Sequence, residues 1–362
     1  MKQKLINELL IRKDSLMNIS KHLYGIHEEG FKEFKTCEFL VKFLKDQDFK
    51  IKENLMSIDT SFLASYGEGH PKIGFILNYG DLDNKMGFNL DTSATLISLI
   101  ALKDAIDKNK GSIIAIGCPG EDKGGCKYSL VNQGVFEDID SVFELKFTNK
   151  TGNIISSKAS ENLLLELNSD KNSNFKSLPF ILNSLDFIQG RLDTSCQISC
   201  DNLSASLDNI NLYLQITSDK FSQIESMRQG INSMSTFMNS FDFKLNIKSY
   251  MEPQKEIIES STLSRLFFHN LKEAGLINIE DIIEETHYSS GVISHNIPFL
   301  MPSISITKNN NEIIYPSEEF SCKTINNSSL EIALKATQSL TLTAYDLICD
   351  LALLYEANND SK

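Results

Sequence analysis

Cys118-Pro119-Gly120-Glu121-Asp122 is the most chemically suggestive stretch of this chain. It follows the apolar run Ser112–Ile116, which reads as a buried strand ending at Gly117. Adjacent carboxylates at the C-terminal end of a strand are placed for metal binding or general-base work, and an exposed acidic loop is the competing reading. A second stretch, Asp81-Leu82-Asp83-Asn84-Lys85-Met86-Gly87-Phe88-Asn89, joins the apolar run Ile73–Leu77 to a helix expected over Asp91–Ile106. Loops that end at a helix N-terminus often hold anions and metal-bound groups. Asp81, Asp83 and Asp91 could hold a hard cation there, but a polar turn with Asp91 or Thr92 as helix cap explains them equally.

The six histidines do not converge in the sequence. His22 and His27 lie on or just beyond the first helical stretch, His70 precedes a proline, His269 falls in a helix, and His287 and His295 flank a loop. No two have the i,i+4 spacing of a zinc-binding helix. Serine-nucleophile and phosphate-loop motifs are absent. Cys118 could serve as a nucleophile, but no histidine stands beside it. Cys196 and Cys200 read as strand residues rather than half of a zinc site, because no second pair lies near. The seven cysteines are odd in number and lack CxxC spacing, which suits reduced thiols in a cytoplasmic protein.

The elements that must position these residues alternate. Leu5–Tyr24, Phe34–Lys45, Asp91–Ile106 and Gly124–Gln133 carry apolar residues at helical spacing, while Ile73–Leu77, Ser112–Ile116 and Ser141–Leu145 read as strands. Such alternation predicts an α/β sheet covered by helices. Between 158 and 250 the order changes. Strand Asn162–Leu167, helix Leu178–Ile188, strands Cys196–Leu203 and Leu212–Thr217, helix Gln223–Met238 and strand Phe241–Lys248 make a ferredoxin-like βαββαβ unit. Residues 1–157 and 251–362 then form one discontinuous domain, closed by a helix near Thr262–Ala274, a strand at Ser303–Thr307 and a long helix from Ser328 to about Tyr355. A length of 362 residues suffices for two domains. The formal charge of −13 argues against nucleic-acid binding or attachment to an anionic membrane. No transmembrane run or signal-peptide core is present.

In motif order the chain resembles the M20 metallopeptidase family, particularly its amidohydrolase branch, over nearly its whole length. The run Ile26-His27-Glu28-Glu29-Gly30-Phe31-Lys32-Glu33-Phe34-Lys35-Thr36 is similar to that branch's opening motif, in which a Glu and a Thr precede a helix. Ile73–Asp81 resembles its first core strand and acidic turn, Cys118–Asp122 its Pro-Ala-Glu-Glu segment, and Gly291–Pro298 its Gly-x-Val-Ser-x-x-x-Pro segment. The inserted βαββαβ unit corresponds to the family's lid or dimerisation domain.

The resemblance implies two divalent metals bridging a water, with a glutamate as general base. Glu121 falls at the general-base position and Asp122 at a metal-ligand position. The other ligand positions are degenerate: Met86 replaces the cysteine and Phe88 a histidine. Lys146 stands at the His-Pro position, and Pro316 at the last His-Thr, just ahead of Glu319-Phe320. The lid histidine would fall in Ser169–Phe175, which has none. A phenyl ring offers no lone pair and an ammonium repels cations. The expectation is therefore a protein that keeps the fold but has lost the dinuclear site, binds no cofactor, and acts by binding or association. The rival is an active amidohydrolase on N-acyl amino acids or small peptides, with one divalent metal (Mn, Zn or Mg) held by Asp81, Asp83, Asp91, Glu121 and Asp122. Expected partners are a second copy or a competent relative, joined through 158–250, and a small amide or amino-acid-like ligand.

Overall fold

The apolar runs around Ile76 and Ile116 pair in parallel at the centre of a six-stranded sheet. The computed structural model describes residues 1–82, 86–106, 111–168, 174–191, 195–206, 209–240, 243–307 and 313–360. The sheet runs Lys50–Glu53, Phe62–Glu68, Gly111–Cys118, Lys72–Asn78, Ser141–Phe143, Phe299–Leu300. The first two pairings are antiparallel and the rest parallel, so the sheet is mixed. Every residue of Gly111–Cys118 is buried, as expected of a strand covered on both faces. Helix Asn89–Lys103 is apolar on nearly all sides, because Lys13–Tyr24 and Asn327–Cys349 pack against it.

Among the elements that differ from their expected bounds, two have a clear local cause. Helix Asn89–Lys103 starts two residues before Asp91, and neither candidate cap is used as one. Asp91 accepts the Phe147 N–H and the Thr92 hydroxyl donates to the Asn78 carbonyl, so both side chains tie the helix to neighbouring strands. The long C-terminal helix is broken at Asp350, whose backbone is extended (φ −130°, ψ 96°), into Asn327–Cys349 and Leu351–Asp360. The Asp350 carboxylate accepts the Ala352 N–H and so starts the second helix, a local competition that apolar periodicity does not register.

The chain divides into two compact units, Met1–Ile155 with Ile258–Ile283 and Ile293–Lys362, and Ser156–Ile257 with Glu284–Val292. Much of the second follows a β-α-β-β-α-β order, with helices Asn174–Gln189 and Phe221–Asn239. Its strands lie in the order Gln197–Ala205, Asn209–Ser218, Gly152–Asn168, Lys244–Ser249, all antiparallel, which is the ferredoxin-like arrangement. Along Asn209–Ser218 every second side chain (Ile210, Leu212, Leu214, Ile216) enters this unit's own core. Among the described residues, no helix is long and apolar enough to cross a membrane.

Candidate functional site

Strands Lys72–Asn78 and Gly111–Cys118 end side by side, with Asn78 opposite Cys118. The loops leaving the carboxyl ends of parallel strands are where such sheets hold ligands. Here they carry Asp81 and Phe88, then Glu121 and Asp122, and, after Ser141–Phe143, Glu144 and Lys146.

Glu121 and Asp122 face different partners. The Lys127 ammonium donates to Glu121 Oε1 at 2.6 Å and stands 3.9 Å from Glu144 Oε1. Lys127 has no exposed side-chain surface, while Glu121 and Glu144 are 12% and 6% exposed, so the charges meet largely out of water. Burial alone would lower the lysine's pKa, but attraction to Glu121 and Glu144 more than offsets it and holds the ammonium charged. Asn78 Nδ2 donates to the same Glu144 oxygen at 2.7 Å, and Asn78 Oδ1 finds no hydrogen-bond partner among the described residues. Removing one partner of such a buried pair costs about 3–5 kcal/mol.

Asp122 turns instead to the opening motif and accepts the Gly30 N–H at 3.3 Å. That motif is a scaffold for the acidic turn. Glu33, fully buried, accepts the Gly120 N–H at 2.7 Å and the Thr60 hydroxyl at 3.1 Å, and its burial pushes its carboxyl up. Gly120 has φ +78°, and a Cβ on it would lie 2.5 Å from the Phe31 ring, so the turn needs a glycine there. Glu33 is also the N-cap residue of helix Phe34–Asp46, but its side chain is engaged by Gly120. Glu28 caps the helix in its place, accepting the Lys35 and Thr36 N–H groups at 2.9 and 3.0 Å and the Thr36 hydroxyl at 2.8 Å.

The positions read as degenerate ligands hold side chains unsuited to a dinuclear centre. Phe88 is buried and helps line a cavity of about 20 Å³ with His27, Asn78, Asp81 and Thr92, room for a single water. Lys146 lies over the Tyr315 ring, 5.9 Å from its centroid. Pro316 is exposed and precedes Ser317, whose hydroxyl caps helix Glu318–Lys323. The backbone of Met86 pairs with Leu82 in a two-residue strand. Asp83, Asn84 and Lys85 lie outside the described residues, as do residues 169–173 of the lid-histidine segment.

The carboxylate cage of the rival reading is not assembled by its described members. Asp81 Oδ2 pairs with His27 Nδ1 at 2.8 Å, Asp91 Oδ1 takes the Phe147 N–H at 2.8 Å, and Glu121 and Asp122 point apart. Among the described residues, no three His, Cys, Asp or Glu side chains are grouped to hold a metal ion. Cys118 is wholly buried, and a hydrogen bond with it, together with burial, pushes the Cys126 thiol well up. Cys196 is buried and Cys200 exposed, so they do not form a ligand pair.

Lys127, Glu144 and Asn78 escaped the sequence reading. The available signal was a lysine just after Gly124-Gly125-Cys126, where the turn feeds a helix whose first residue is buried. The His27–Asp81 pair escaped it because 54 residues separate its members.

This fold is shared with solved structures of M20 peptidases and amidohydrolases. Aminobenzoyl-glutamate utilization protein from Klebsiella pneumoniae shares the fold with a TM-score of 0.73 at 9% identity, over 95% of this chain and 98% of that one. A dinuclear metal-binding M20 peptidase of Bacillus subtilis aligns with a TM-score of 0.62 at 14% identity, over 90% and 97% of the two chains. One of the subunits of the p-aminobenzoyl-glutamate hydrolase of Escherichia coli (strain K12) is 28% identical over 146 residues, a match covering 34% of this chain and 30% of that protein. No protein-family profile matches the chain. The relationship to M20 amidohydrolases and the α/β fold class expected from the motifs are thus borne out.

Proposed function

We propose that this protein is a non-catalytic relative of the M20 amidohydrolases that acts by binding or association. The observation that carries this reading is the buried Lys127–Glu121 ion pair. A general base must present its carboxylate to a water, and here that carboxylate is committed to an ammonium. Phe88, Lys146 and Pro316 supply no anionic or imidazole donors around it.

Association through 158–250 is the corresponding mode of action, with a second copy or with a metal-competent relative. Two features support it. Phe180 stacks on Phe237 at 5.7 Å, and both are exposed together with Phe187. Strand Gln197–Ala205 is the edge of its sheet and is exposed along most of its length. The Escherichia coli relative is itself named as one subunit of a hydrolase, which favours the heteromeric form. A small amide or amino-acid-like compound is the proposed ligand class, and a reducing cytoplasm the proposed location, in keeping with seven free cysteines.

The test is metal analysis of protein purified without chelators, together with hydrolysis assays on N-acyl amino acids and light scattering. The expected result is substoichiometric metal, no turnover and a dimer or larger assembly. Two tightly bound transition-metal ions per chain, with turnover that disappears in Glu121→Gln, would overturn the reading.

A further inference from the structure

We propose that Lys127 is a tethered counter-cation: its ammonium, fixed between Glu121 and Glu144, neutralises carboxylates that would otherwise draw in a dissolved cation. This rests on the non-catalytic reading above and supplies its physical reason. Burying two carboxylates costs each of them hydration, and a nearby positive charge offsets part of that cost. Lys127 provides that charge from within the chain, 2.6 Å from one carboxylate and 3.9 Å from the other. The sequence places it as the first residue of helix Lys127–Asn132, immediately after the turn that presents Glu121.

The surrounding groups fit this role. Asn78 steadies Glu144 through its amide N–H, which leaves its carbonyl oxygen as a further hard donor beside the pair. Two carboxylates and an amide oxygen are oxygen donors of the kind that Mn²⁺ and Mg²⁺ accept. A covalently attached ammonium wins this competition because its local concentration is fixed by the fold. The consequence is that the carboxylates can no longer serve a metal.

The experiment compares wild type, Lys127→Met, Glu121→Gln and the Glu121→Gln/Lys127→Met double variant by thermal unfolding, with EDTA or with MnCl₂. Methionine keeps the length and packing of the lysine stem while removing its charge. Lys127→Met should lose roughly 5–10 °C in Tm with EDTA. It should regain a substantial part with MnCl₂, and calorimetric titration should give one Mn²⁺ per chain. Wild type should show no response to Mn²⁺. The double variant should recover part of the lost Tm and respond less to Mn²⁺ than Lys127→Met, because the charge at Glu121 is gone and only Glu144 lacks the ammonium.

An unchanged Tm in Lys127→Met would overturn the inference, as would an equal Mn²⁺ response in wild type and variant. If Lys127→Met aggregates but the double variant folds, the counter-charge role stands. If neither folds, Lys127 is needed for its shape and not its charge, and the inference fails. None of these failures alters the outcome of the metal and hydrolysis assays on wild type, so the two readings can fall separately.

Discussion

Gly30 abuts Asp122 so closely that a Cβ on the glycine would lie 1.9 Å from Asp122 Oδ1, while the Gly30 N–H donates to Asp122 Oδ2 at 3.3 Å. Two segments 92 residues apart, both singled out by the family resemblance, are therefore parts of one structure. In this chain the opening motif supports the acidic turn through Glu33, Gly30 and Phe31.

Glu28 acts as the cap of helix Phe34–Asp46 although it lies outside that helix. Glu28→Ala should destabilise the protein by about 1–2 kcal/mol, the usual cost of a lost N-cap with an added hydroxyl contact. Urea unfolding followed by circular dichroism would measure it. Glu28→Gln should lose less, because its amide oxygen still accepts. Equal losses in both variants would count against a capping role.

Asp91 should make stability depend on pH. Desolvation pushes its carboxyl from the ordinary 3.8 up to about 7, although the Phe147 N–H opposes the shift. A carboxyl raised on folding holds its proton more tightly in the folded chain. Its stabilising contribution is thus fully present below about 3.8 and lost as pH rises through about 7. Asp91→Asn keeps an acceptor for Phe147 and removes the charge. It should match wild type near pH 4 and exceed it near pH 8 by ~2 kcal/mol. Paired urea titrations at the two pH values decide it; an advantage that does not grow with pH would show that the titrating group lies elsewhere.

Phe88→His restores an imidazole at a position where the resemblance expects one. It should not restore metal binding, because Lys127 still holds Glu121 and Lys146 stands where the resemblance expects another ligand. It should instead cost about 1–3 kcal/mol by placing a polar ring in a buried site. Elemental analysis and urea unfolding on the same preparation provide both readouts. Stoichiometric zinc in this single variant would show that the donor set is more complete than the geometry allows.

Much of the fold was legible because burial leaves a periodic trace. The runs at Ile73–Leu77 and Ser112–Ile116 became central strands, and the alternation of Ile210, Leu212, Leu214 and Ile216 marks one face of a strand in the second unit. Strand Phe62–Glu68 was not singled out, because its Ser, Gly and Glu residues dilute the apolar signal. The end of helix Asn327–Cys349 was also missed, because the Asp350 side chain and not hydrophobicity stops it.

At the candidate site the residue types were legible and their contacts were not. Phe88 and Lys146 can be recognised as unfit for a metal from residue type alone. What fills the electrostatic gap cannot, because Lys127, Glu144 and Asn78 meet only through the register of three parallel strands and their loops. A lysine in a short helix normally reads as surface, and only the fold turns this one inward.

That burial also gives the protein an internal reporter. Lys127 is the one fully buried lysine among the described residues, so an amine-acetylating or amine-dimethylating reagent can reach it only when the surrounding structure opens. Its labelling, read by mass spectrometry peptide by peptide, should lag behind that of exposed lysines such as Lys32 and Lys248 and follow the opening equilibrium. The residue that closes the site to cations would then time how often the native chain breathes.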